Sequence, residues 1–402
     1  MNARELRQLL HFSRPDLLSR RLGRLSQRLT RRLLRTDQRL ARLRPDGSVR
    51  GRVLFSYILD PLLRHPQEPR DHDHTNVWES WRMAESWRRQ GFAVDAISWT
   101  NHQFQPQDRY DFLIDVRTNL ERLALQMVES TTKVLHIDTA HHAFHNQAQL
   151  QMLADLAERR GIVLQPRKMM PETRGIETAD CATILGNAFT QETYAFANKP
   201  LHRIPISTPV TWDWDAEKDF AAARKNFLWF GSGGLVHKGL HLVLEVFASL
   251  PDLHLTVCGP VEREADFERA FWKELYQTPN IHTLGWLDIA SPRFRELART
   301  TAALIYPTCS EGGGGSVLTC MHAGMIPITG APASVDLRQD YSIPLPALTV
   351  EAVRQGVEDL ASRTPTELEA MARAAWTFAR EHHTREHFGA AYDRFVDRLV
   401  TP

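Results

Sequence analysis

YPTCSEGGGGSVLTCMHAGMIPITG, residues 306–330, is the stretch whose reading decides the fold. The apolar run 302–306 that leads into it reads as a buried strand, and Pro307 ends that strand. A single acid, Glu311, precedes four glycines, Gly312, Gly313, Gly314 and Gly315. Val317, Leu318, Met321 and Ala323 then recur at helical spacing until Gly324, and 325–328 reads as a second strand. Strand, glycine loop, helix, strand is half of a doubly wound parallel sheet. Glycine backbone lets a ligand come close, and the free N–H groups at a helix start attract anions or sugar oxygens. A carboxylate beside such a loop points to a ligand rather than to a floppy turn.

The same grammar extends outward. Upstream, 227–230 reads as a strand, 231–234 as a glycine loop and 239–250 as a helix with Leu240, Val243, Leu244 and Phe247 on one side. Strands follow at 253–258 and 281–284, with helices around 267–276 and 293–299, and the tail 350–400 is helical by periodicity. Nearer the start, strands are expected at 52–57, 92–98, 110–115 and 133–137, with helices at 77–89 and 192–197. The segment 203–208 leads into a connector rich in proline and tryptophan that ends near Asp219. Strands alternating with helices predict an α/β protein of two Rossmann-like domains facing a central cleft. The expected layout is an extension at 1–48, a first domain at 49–210, a second at 211–380 and a C-terminal helix at 381–402 that can pack back on the first domain. Ligands of such sheets sit beyond the carboxyl ends of the strands, so the active site is expected in the cleft.

Composition agrees with this layout. The chain has 402 residues, 43% hydrophobic and 24% charged, enough for two or three cores. A net charge of +1 gives no bias toward nucleic acid. Cys181, Cys258, Cys309 and Cys320 form no CxxC pair and read as buried, reduced thiols. No apolar stretch reaches a membrane span and no secretory signal opens the chain, so a cytoplasmic location is expected.

The first fifty residues differ. Fifteen arginines and four acids stand between Arg4 and Arg52, with leucines three and four apart among them. This reads as a basic amphipathic helix extending to residue 48, closed off by a turn at 44–47. It either lies on an anionic membrane surface or packs on protein.

Gly231-Ser-Gly-Gly-Leu-Val-His-Lys238-Gly239, with the helix after it, resembles the phosphate-binding segment of retaining GT-B glycosyltransferases of group 1, glycosyltransferase family 4. Ser310-Glu311-Gly-Gly-Gly-Gly-Ser-Val-Leu-Thr319 resembles that family's acid–glycine–helix signature. The likeness covers about 50–400 and includes the segment 79–84 and the Gly186-Asn187 turn. It implies catalysis by Glu311 and Lys238, with donor contacts from Ser232, Gly233, Gly234, Gly312 to Gly315, Ser316 and Thr319. It also implies that no metal or cofactor is needed. Two positions depart from the family pattern. Thr319 stands where a second glutamate usually holds the ribose, and Ser232 stands where an arginine usually clamps the diphosphate. A charged hydrogen bond is worth about 1.5–3 kcal/mol and a neutral one about 1, so donor affinity is expected to be weaker, redirected or compensated elsewhere.

The chemistry explains these residue types. When a glycosyl group leaves a nucleotide diphosphate, negative charge grows on phosphate, and a lysine with backbone N–H groups stabilises it. The sugar becomes oxocarbenium-like, and a carboxylate beside it orients hydroxyls and softens positive charge. In the first half, Asp138, His141, His142 and His145 follow directly on a strand and so face the cleft. By the resemblance, His141 is a third catalytic candidate, contacting the donor sugar or the acceptor. Asp138 is either a base or the cap of the next helix, and His74 and Asn76 are weaker acceptor-side candidates. Asp71-His72-Asp73-His74 and the His141/His145 pair carry metal-ligand types, but without a metal motif none is assigned.

The expected activity is transfer of a sugar, hexosyl in type, from a nucleotide-sugar donor to a saccharide, lipid-linked or surface-glycan acceptor. A degenerate scaffold that binds a nucleotide sugar or a partner enzyme, and a GT-B-like sugar-nucleotide epimerase, are the alternatives.

Overall fold

The computed structural model describes residues 38–65, 68 and 74–401. Residues 1–37 of the basic helix expected over 1–48, and Asp71, His72 and Asp73, lie outside that set.

Seven strands form the first sheet: β1 (Leu40–Leu43), β2 (Gly51–Tyr57), β3 (Phe92–Ser98), β4 (Phe112–Asp115), β5 (Thr132–Ile137), β6 (Cys181–Ile184) and β7 (Leu201–Arg203). Their order is β1-β3-β2-β4-β5-β6-β7, parallel except where β1 runs against β3. Six strands form the second sheet: β8 (Asn226–Phe230), β9 (His254–Cys258), β10 (Ile281–Thr283), β11 (Ala303–Ile305), β12 (Ile326–Thr329) and β13 (Ile343–Pro344). Their order, β10-β9-β8-β11-β12-β13, is all parallel. The winding reverses between β8 and β11, the switch point at which such sheets open a crevice. The central strands are buried and rich in Val, Ile, Leu and Phe, as a sheet covered on both faces requires.

One expectation fails at the front. Residues 40–43, whose leucine spacing suits the basic helix, form β1 instead, with Leu40 opposite Ile97 and Leu43 opposite Val94. The ladder groups on the free side of β3 give this segment hydrogen-bond partners that a solvated helix would lack. Ala41 is buried there, and Arg42 lies 3.9 Å from Asp95. Smaller differences follow the same logic. The expected helix 267–276 is two, Ala265–Ala270 and Trp272–Gln277, broken at the fully buried Phe271. The expected helix 192–197 is Ala188–Glu192 followed by a 3-10 turn, Ala195–Ala197. The side chain of Asn187 caps the first of these by accepting from the Thr190 amide.

The last helix, Arg385–Val400, lies on Thr75–Arg89 of the first domain. Asp393 holds Arg82 through two hydrogen bonds of 3.0 and 2.5 Å, and Trp78 meets Phe388 edge to face. Further contacts join the domains. The Asn187 side chain donates to the carbonyls of Ala331 and Val335, and Arg159 pairs with Glu245.

Candidate active site

Strand pairing brings the two sequence motifs together. Phe227 of β8 is in register with Ala303 of β11, so the loops that leave these strands emerge side by side. The Nζ of Lys238, from the first loop, meets Oε1 of Glu311, from the second. Nζ also donates to the Tyr306 hydroxyl at 2.7 Å, which in turn donates to Glu311 Oε1 at 2.7 Å. Thr308 Oγ1 adds a third donor to the same oxygen at 3.2 Å. All three bonds fall on Oε1, which leaves Oε2 as the oxygen available to a ligand.

Burial raises the Glu311 pKa, but the Lys238 charge, then His237 and the hydrogen bonds, hold it at about 2. Burial lowers Lys238, and Glu311 and Tyr306 outweigh that effect, so the ammonium is held above the ordinary lysine range. The pair is ionised throughout the neutral range.

A cavity of about 410 Å³ separates the domains, within the size range of small-molecule sites. The second domain lines it with His237, Lys238, Ser310, Glu311 and Gly312. The loops after β4 and β5 contribute Arg117, Asp138 and His141, the start of the helix His142–Arg160 contributes His142 and His145, and an extended segment adds Lys168. The cleft is thus built from the carboxyl ends of four strands.

Asp138 does not cap the helix His142–Arg160. His141 occupies the cap position, and the Asp138 carboxylate is held by Arg117 at 2.5 Å. Burial raises Asp138, and the guanidinium partly opposes this. The His141 ring packs between Tyr194 and Phe196, at 5.3 and 4.8 Å. Burial, then the neighbouring His142, lower its pKa. His145 uses both ring nitrogens, one toward Ser310 Oγ at 2.9 Å and the other toward the Lys168 carbonyl at 2.7 Å. Neither nitrogen is left for a metal. His74 lies away from the cavity, bonded to Asn76 at 2.9 Å.

The expected donor contacts divide. Gly312 lines the cavity, and its lack of a side chain is required there, since a Cβ would stand 1.7 Å from the Asp138 carbonyl oxygen. Gly313 and Gly314 are buried, and Gly314 caps the helix Gly315–His322 at φ +63°. Ser316 and Thr319 lie in that helix, and Ser232 and Gly233 lie in the loop after β8. None of these four borders the cavity. The amide of Gly234, expected to meet a phosphate, instead donates to Glu264 Oε1, and the Leu235 amide bonds the same carboxylate at 3.2 Å. Glu264, which follows the 3-10 turn Val261–Arg263 after β9, thus fills the position expected for a phosphate.

Sequence reading passed over Arg117, Lys168, His237, Tyr306 and Glu264. His237 stands next to Lys238, a signal that could have been read. Its Nε2 donates to the Ser310 carbonyl at 2.6 Å, and burial brings its pKa to about 3. The other four depend on contacts far apart in the chain.

No protein-family model matches the chain, and no curated protein matches it in sequence. Solved structures do match it in fold. Sucrose-phosphate synthase from Thermosynechococcus elongatus aligns with a TM-score of 0.60 at 13% identity, covering 87% of this chain and 99% of that one. HepE from Anabaena, in complex with UDP-glucose, aligns with a TM-score of 0.54 at 12% identity, covering 87% and 100%. TarM from S. aureus aligns with a TM-score of 0.50 at 10% identity over 72% of this chain, which spans only 55% of TarM. The chain therefore has the GT-B glycosyltransferase fold, two parallel-sheet domains about a cleft. Among the described residues, no helix is long and apolar enough to cross a membrane.

Proposed function

We propose that this protein is a nucleotide-sugar-dependent glycosyltransferase of the retaining group 1 type, moving a hexosyl group to a saccharide, lipid-linked or surface-glycan acceptor. Fold alone does not imply function, so the proposal rests on the site. The observation that carries it is the Lys238–Glu311 pair at the domain cleft, with one carboxylate oxygen left open. HepE, of the same fold, was solved with UDP-glucose, and TarM with UDP and α-GlcNAc-glycerol.

In this reading the nucleotide diphosphate lies against Lys238 and the backbone of Gly312, the glycine of the loop that lines the cavity. Charge that builds on the departing phosphate meets a cation already in place, which favours the transition state over the ground state. Glu311 Oε2 faces the sugar, orients its hydroxyls and offsets positive charge at the ring. Because Glu311 stays ionised to about pH 2, it acts as a fixed charge and not as a proton donor. The acceptor occupies the first-domain wall, where His141 and Asp138 stand.

The test is donor turnover with UDP-, GDP- and ADP-sugars, with and without acceptor saccharides. Slow release of nucleoside diphosphate that disappears in Glu311→Ala and Lys238→Ala, with both variants folded, supports transfer. Interconversion of donor sugars without such release indicates an epimerase. Donor-dependent thermal stabilisation with no turnover indicates a binding scaffold. For the membrane surface, the full chain should bind vesicles containing anionic lipid more tightly than a chain lacking residues 1–37. Equal binding removes that part of the proposal.

A further inference from the structure

The cavity carries four Lys and Arg side chains, and three are already paired: Arg117 with Asp138, Arg167 with Asp266 and Lys238 with Glu311. Lys168 is the exception. Among the described residues no carboxylate lies within ion-pair distance of its ammonium. A ligand diphosphate brings at least two negative charges into this space, and Lys238 meets it already shared with Glu311 and Tyr306. We propose that Lys168, delivered from the first domain, is a second phosphate-binding residue, so that the diphosphate is held from both domains at once. This rests on the glycosyltransferase reading above.

The segment that carries Lys168 is positioned with unusual care for a stretch without regular structure. Gln149 accepts from the Lys168 amide at 3.0 Å, and His145 holds its carbonyl at 2.7 Å. Two residues on, Asn146 bonds both the amide and the carbonyl of Met170 at 2.8 Å. All three anchors stand on one helix, His142–Arg160, and Arg167 ties the other side to Asp266 of the second domain at 2.5 Å. The Lys168 stem then crosses the glycine loop after β8. A Cβ at Gly234 would stand 2.7 Å from Lys168 Cγ, so the bare glycine is what lets the stem pass.

Electrostatics agree with this placement. Burial, and next the charge of Lys238, lower the Lys168 pKa, while Glu311 and Glu264 raise it. The two ammonium groups line the same cavity and repel each other, and a bound polyanion would relieve that repulsion. Ser232, which brings no charge to the same loop, leaves this role open.

Calorimetric titration of the full chain with UDP, GDP and ADP, and with the matching monophosphates, tests the inference. The wild type should bind at least one diphosphate. Lys168→Ala and Lys168→Gln should weaken it about tenfold, as loss of a charged hydrogen bond predicts, weaken the monophosphate less, and flatten the salt dependence. Lys168→Arg should retain most of the affinity, and melting temperatures should stay near wild type. Unchanged diphosphate affinity in both neutral variants overturns this inference and leaves the functional reading standing. A wild type that binds none of the three diphosphates overturns both.

Discussion

The peptide of Gly312 lies against the carbonyl of Asp138, so close that a methyl group at Gly312 would overlap the Asp138 oxygen. The glycine loop of one domain thereby touches the strand end of the other, at the edge of the cavity both domains line. Gly312→Ala should force the domains apart at this point while leaving each sheet intact. We expect donor turnover to fall by more than tenfold and stability to drop by about 1–3 kcal/mol, the usual cost of overpacking. Turnover at the wild-type rate in a folded Gly312→Ala variant would show that this closure is not needed.

Breaking the Lys238–Glu311 pair should be costly. Lys238→Met leaves a partly buried carboxylate without its cation, and Glu311→Gln leaves a buried ammonium without its anion. Each should lose about 3–5 kcal/mol, while the double variant should lose less than the sum, because no uncompensated charge remains. Urea unfolding of the three variants measures this. The pH sign follows from the depressed Glu311 pKa. Its stabilising contribution is full above the ordinary carboxylate value of 4.5 and is lost as pH falls toward about 2. Glu311→Gln should flatten that acid limb.

Glu79 gives the opposite sign. Its buried carboxyl accepts from the Ser207 amide at 2.7 Å. Burial raises its pKa to about 8, with the Ser207 hydrogen bonds opposing and the Asp138 charge adding. The folded protein therefore holds a proton that the unfolded chain releases above about 4.5. This contribution is full below 4.5 and is lost as pH rises through about 8. Glu79→Gln should remove that dependence and stabilise the protein at pH 8 by on the order of 1–3 kcal/mol. Equal slopes for variant and wild type between pH 5 and pH 8 would contradict the assignment; those limits lie roughly within the titration window.

Glu264 closes the glycine loop after β8 by accepting from the Gly234 and Leu235 amides. Glu264→Ala should leave two buried donors unpaired and cost about 1–3 kcal/mol, with Glu264→Gln milder because it keeps an acceptor oxygen. Thermal unfolding distinguishes the two. If alanine and glutamine behave alike, the carboxylate does not hold the loop.

Local rules written along the chain were enough to read much of this fold. A helix stop followed by a largely apolar run marked β3 at 92–98 to the residue. Strand–glycine–helix order marked the loops that carry Lys238 and Glu311. Where a segment's state depended on a distant partner, the same rules misled. The leucines of β1 suit a helix stripe equally well, and only pairing with β3, more than fifty residues on, selects the strand. The capping alternative for Asp138 failed for the same reason, because Arg117 competes for the carboxylate from another strand end.

By itself, then, the sequence determined two wound sheets, their glycine loops and the residue types that could handle a phosphate and a sugar. Tertiary structure decided which of those groups meet. Lys238 and Glu311, 73 residues apart, touch because β8 and β11 are neighbours in the sheet. Glu264 rather than a ligand fills the Gly234 amide, and Lys168 reaches the cleft only because Gln149, His145 and Asn146 hold its segment there. Periodicity and turn chemistry act over a few residues, whereas charge pairing and strand register act through space, and the site is made by the second kind.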